Sequence, residues 1–133
     1  MTGFGLSIRV DLPLEEAVER TRAALAEEGF GILTEIDIAA TFKAKLDVDV
    51  PPQIILGACN APLARQGLQI EPDLGLLLPC NVVIRTADDG RTSVSALNPE
   101  LLVSVSGRPE LEPIAADAKA RLENALEAVA AAR

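Results

Sequence analysis

Histidine, tyrosine and tryptophan are absent from this 133-residue chain, and phenylalanine occurs only three times. Each absence removes a class of chemistry. Without histidine, no Ser-His-Asp or Cys-His catalytic unit can be assembled within the chain, and no His-ligated metal site can form. With at most three rings, a base-stacking platform for nucleic acid would be sparse. Net charge is -8, from 12 Lys plus Arg against 20 Asp plus Glu, which opposes binding to a phosphate backbone. No nucleic-acid partner is expected.

Long apolar runs are also missing. Apolar residues make up 49% of the chain. The densest stretches are Ile54 to Cys59 and Leu74 to Val83, the second broken by Pro79 and Asn81. Neither approaches the roughly 18 to 20 continuous apolar residues of a membrane span, so no membrane partner is expected. Met1 to Asp11 lacks a basic segment followed by an apolar one, so no signal peptide is read and a cytoplasmic setting is expected. The length fits one domain, residues 1–133, with a real core. A chain this small and aliphatic still exposes apolar surface alone, and a homodimer buries it. The acidic excess lies mostly in the first 50 residues, and it reads as a solvated helix face.

What is present sorts into strands and helices. Leu6, Ile8 and Val10 alternate with Ser7 and Arg9, predicting a strand over Gly5 to Val10. Asp11 is placed to cap a helix with Pro13 in its first turn. Leu14, Ala17, Val18, Thr21, Ala24 and Leu25 supply the apolar stripe, and Gly29 the stop. Phe30 to Ile36 reads as a second strand. Asp37 caps a short helix, Ile38 to Leu46, with Ile38, Phe42 and Leu46 inward. Gln53 to Cys59 is an apolar strand, Pro62 to Glu71 a helix, and Asn81 to Thr86 a strand. Asp89-Gly90 makes a hairpin turn, with Thr92 to Ala96 returning. Glu100 to Val105 forms a helical turn, and Pro109 to Arg133 an Ala-rich terminal helix. The sum is α+β: a mostly antiparallel sheet of about five strands with helices on one face. The other face is open to a second subunit.

Both cysteines fall in one region, each followed by asparagine: Cys59-Asn60 ends one strand and Cys80-Asn81 begins the next. The run Gly57-Ala58-Cys59-Asn60, then Pro62-Leu63-Ala64, then Gly75-Leu76-Leu77-Leu78-Pro79-Cys80-Asn81-Val82-Val83 resembles the domain-of-unknown-function 302 family. Gly29-Phe30-Gly31, the Thr41 to Leu46 segment and Asn98-Pro99 extend the likeness over nearly the whole chain. Ala61, between Asn60 and Pro62, is a small departure in a loop. The resemblance implies a fold similar to the TATA-binding-protein-like arrangement, with a curved antiparallel sheet, and a dimer. It implies no activity, and likeness to a DNA-binding fold is no functional warrant.

Several readings of the residues stay open. Cys59 and Cys80 fit inert buried thiols, a thiolate activated near a helix start, a soft-metal or ligand site aided by Glu71, or a disulfide, which a cytosolic setting disfavours. Two thiols are too few for a closed zinc site. Asn60 and Asn81 fit turn capping, or the polar lining of a small-molecule pocket. Thr41, Lys43 and Lys45 fit solvated surface or an anion contact, and Glu71 with Asp73 an acid/base pair. Gly57 and Gly75 read as close packing or a bend. Three functions follow. The first is a homodimeric module binding a small ligand or ion at Cys59, Asn60, Cys80, Asn81 and Glu71. The second is a thiol-dependent redox protein or enzyme, and the third an interaction dimer with no site. Nothing in the sequence specifies a cofactor, a metal or a catalytic residue.

Overall fold

A computed structural model describes residues 3–131. The elements run β1 (Gly5–Val10), α1 (Leu14–Glu27), β2 (Gly31–Asp37), α2 (Ile38–Leu46), β3 (Gln53–Cys59), α3 (Ala61–Ile70), β4 (Cys80–Thr86), β5 (Thr92–Leu97), α4 (Glu100–Ser106) and α5 (Glu112–Ala131), with 3-10 segments at Pro72–Leu77 and Pro109–Leu111. The strands form one open sheet in the order β1-β5-β4-β3-β2. Every neighbouring pair is antiparallel.

Strand alternation decides which face becomes the core. Leu56 and Ala58 of β3, Val82 and Ile84 of β4, and Val94 and Ala96 of β5 point to one side. There they meet Ala17, Val18 and Leu25 of α1 and Leu122, Leu126 and Val129 of α5. These are the stripes that the 3.6-residue period predicts. A satellite core of Leu74, Leu102 and Leu111 joins the 3-10 segments to α4. The alternate residues, among them Asn81, Val83 and Arg85, face away from both long helices.

Local signals place the turns. Gly29 has φ +86°. Its N–H donates to Ala26 O at 3.0 Å, and that of Phe30 to Leu25 O at 2.9 Å. This paired bonding closes α1 and buries Phe30 beneath the sheet. Asp37 caps α2 as expected, its Oδ1 accepting from the Ala40 N–H at 2.9 Å. The hairpin turns at Gly90, φ +80°.

Two expectations need correction. Asp11 is not the cap of α1; Pro13 is, with no side-chain bond. Asp11 instead accepts from Arg91 Nε at 2.9 Å, a tertiary ion pair that takes the carboxylate away from the helix. Phe42 and Leu46 are exposed, and α2 buries no residue. This helix follows an edge strand and packs mainly against β3, which leaves its apolar side exposed. Gly75 has open space around it, whereas Gly57 is a close-packing position: a Cβ there would overlap Thr34 Oγ1 and lie 2.9 Å from Pro79 Cγ.

The edge strand β2 is irregular. Its register against β3 shifts between Ile32 and Thr34, leaving Leu33 without a partner. The terminal helix expected to reach Arg133 is described to Ala131, and its last two residues lie outside the described range.

Candidate functional site

Two of the concave regions that contain residues singled out by the sequence lie on opposite faces of the sheet. The first is the corner where β3 ends and β4 begins. Ala58 pairs with Cys80, so the two Cys-Asn motifs sit on neighbouring strands. Asn60 leaves the strand and turns the chain into α3: its Oδ1 accepts from the Leu63 N–H at 3.3 Å. Its Nδ2 approaches Gly29 so closely that a Cβ at Gly29 would lie 3.1 Å away.

Cys59, Asn60 and Cys80 line one cavity there, walled by apolar side chains including Phe30, Leu63 and Leu78. Its volume is about 30 Å³, room for a water molecule. Small-molecule pockets run to several hundred Å³. Both thiols are free. The Cys80 thiol is pushed up from 9.0 to about 11, chiefly by burial and secondarily by the nearby Cys59. At neutral pH roughly one molecule in ten thousand would carry the Cys80 thiolate, which is the nucleophilic form.

The remaining candidates are not in this corner. Asn81 follows Cys80 on a strand and therefore points to the opposite face, where it lines the open groove. Glu71 caps the first 3-10 segment: Oε2 accepts from the Asp73 N–H at 2.9 Å, and Oε1 from Arg108 Nη1 at 3.2 Å. Glu71 is thus engaged in local structure, with Asp73 contributing its backbone N–H. Lys43 Nζ is held by Asp47 at 2.8 Å and Asp49 at 3.5 Å, and Thr41 Oγ1 donates to Asp37 O.

The second region is the open face of the sheet, a groove of about 630 Å³. Register builds it in rows. One row crosses four strands as Gln53, Arg85, Ser93 and Arg9. The next runs Ile55, Val83, Ser95 and Ser7, with Ser7 Oγ and Ser95 Oγ 2.8 Å apart. Beyond these, Asn81, Leu97 and Phe4 line the far end. Arg9 Nη1 donates to Asp89 at 2.6 Å. The Arg91 backbone N–H, and then Arg9, hold the Asp89 carboxyl below its ordinary value. Arg85 makes no ion pair among the described residues.

Of the groove's polar residues, sequence reasoning singled out Asn81 alone. The others looked like the solvated half of each strand. Only the register aligns Arg85 and Arg9 on either side of Ser93. Among the described residues, no cluster of three or more potential metal ligands occurs.

Residues 6–129 match the family described as "Domain of unknown function DUF302". The crystal structure of an uncharacterized conserved DUF302 protein from Bacillus stearothermophilus superimposes with a TM-score of 0.88 at 30% identity. The superposition covers 96% of this chain and 98% of that one. No curated protein matches the chain.

Proposed function

The chain belongs to the DUF302 family, and on that footing we propose that it is a single-domain, homodimeric binding module whose ligand lies on the open face of the sheet. One observation carries the reading. The open groove gathers guanidinium, hydroxyl and amide groups from four strands in about 630 Å³, a size suited to a small molecule. The corner of Cys59, Asn60 and Cys80 encloses only about 30 Å³. In this reading the corner holds at most a water-sized species. It fixes the strand ends from which Asn81 reaches the groove.

A thiol-dependent enzyme or redox protein is less well supported, because Cys80 is buried and its thiol resists ionisation. Nucleic acid fits poorly, since the groove offers two cations and one ring within a chain of net charge -8. No described helix is long and apolar enough to cross a membrane. The two unbridged thiols suit a reducing compartment such as the cytoplasm.

The second copy is assigned to the cleft between the Pro72–Leu77 segment and α4, which adjoins the far end of the groove and shares Asn81 and Leu97 with it. Leu76 is 85% exposed and Val105 64%, and no charged residue lines this cleft. Two chains of charge -8 repel least across an uncharged face. A projecting leucine beside an apolar cleft also supplies the self-complementarity of a two-fold contact.

The test is an NMR titration of the ¹⁵N-labelled full chain against a fragment library, with native mass spectrometry of the same sample. Amide shifts concentrated at Arg85, Ser93 and Ser95 in a dimeric species are the expected result. Binding confined to Cys59, Asn60 and Cys80, or turnover abolished by thiol alkylation, would overturn the assignment.

A further inference from the structure

The open groove is not uniform along its length, and its gradient specifies a ligand. At one end stands the row of Gln53, Arg85, Ser93 and Arg9. Neighbouring strands lie about 4.8 Å apart, so Arg85 and Arg9, separated by β5, have backbones roughly 10 Å apart. Between them Ser93 is 4% exposed. The two arginines thus flank the Ser93 hydroxyl, which lines the groove between them. Four residues along β4 the lining changes to Asn81, Leu97 and Phe4. At about 3.3 Å per residue this is a distance of roughly 13 Å.

The charge pattern is as telling as the geometry. The chain carries 20 Asp plus Glu, yet none of them lines the groove. One of its two arginines has Asp89 as a partner, and the other, Arg85, has none among the described residues. An unpaired guanidinium beside a second one already neutralised by Asp89, in a groove that no carboxylate lines, is complementary to an anion.

Taking the open face to be the binding surface, we infer that its ligand is an amphipathic small-molecule anion. The acidic head lies across the row of Arg85, Ser93 and Arg9, and the apolar body runs along Val83 toward Leu97 and Phe4. A monocarboxylate with an aliphatic chain is the simplest member of the class.

The probe is decanoate, kept below its micelle concentration and titrated into the ¹⁵N-labelled full chain. 1-Decanol and inorganic phosphate serve as the neutral and bare-anion controls. Decanoate is expected to shift amides from the arginine row to Leu97. Arg85→Gln, with its folding checked by its NMR spectrum, is expected to weaken decanoate by about tenfold or more. Equal binding of 1-decanol, indifferent to Arg85→Gln, would overturn the anionic head while leaving the open face as the binding surface. Phosphate binding as tightly as decanoate would overturn the apolar body. Shifts absent from this face for all three probes, while fragments bind elsewhere, would overturn both the ligand class and the surface.

Discussion

Asn60 Nδ2 lies over Gly29, so close that a side chain at Gly29 would begin 3.1 Å from it. Gly29 is therefore constrained twice, by its left-handed backbone and by an amide from the far end of β3. Gly29→Ala should lower stability by about 1–2 kcal/mol, from the positive φ alone, and more if Asn60 has to move. Asn60→Ala should cost about 1 kcal/mol for the lost cap of α3. Urea unfolding of both variants, with m unchanged, checks the pair. A Gly29→Ala variant as stable as the parent would show that neither constraint operates.

Gly57 offers a second steric test, with a built-in control. Gly57→Ala drives a methyl into Thr34 Oγ1 and against Pro79, and overpacking of this kind costs about 1–3 kcal/mol. Adding Thr34→Ala removes the nearer obstacle. The double variant should recover part of the loss, appearing as non-additivity in a double-mutant cycle.

Cys80 gives a pH signature. Its folded-state thiol titrates at about 11, above the ordinary 9.0. Below pH 9 both folded and unfolded chains hold the proton, so stability is unaffected. Between pH 9 and 11 the unfolded chain releases it first, and stability falls as pH rises, by about 3 kcal/mol in total. The absence of tyrosine keeps phenolate titration out of this window. The difference in urea midpoint between the parent and Cys80→Ala, followed from pH 8 to 11, isolates the effect. A difference that stays flat would mean that water reaches Cys80. For the same reason the folded chain should show slow Cys80 alkylation at pH 7.

Leu76 and Val105 predict the fate of the apolar cleft. Leu76→Asp places a carboxylate where two acidic chains are proposed to meet. It should convert the dimer to monomer in native mass spectrometry and light scattering, with little change in monomer stability, since Leu76 is already in water. A parent chain that is monomeric at high micromolar concentration would refute the contact.

Much of the fold is written in periodicity. β1 occupies the span its alternation predicts, β3 the span of its apolar run, and Asp37 starts α2 where its side chain can cap. What periodicity does not carry is the partner. Phe42 and Leu46 lie at helical spacing, yet both stay exposed. The candidate site shows the same limit. Adjacent strands bring Cys59 and Cys80 to one cavity. Asn81 is sent to the other face by the two-residue repeat of a strand, a consequence legible in the sequence once Cys80 is placed inside β4. The same repeat keeps Asn60, two residues beyond core-facing Ala58, on the helix side. Arg85 and Arg9 were beyond reach, because the row joining them exists only in the register of four strands.

The unpaired Leu33 in β2 has its own consequence. β2 is an edge of an aliphatic-rich sheet, and a bare edge is a template onto which a stray strand can add. The slip between Ile32 and Thr34 breaks the regular run of outward N–H and C=O groups that such addition copies. Removing Leu33 would straighten the edge, and the expected outcome is a protein that still folds but forms fibrils or amorphous deposits at concentrations where the parent stays clear.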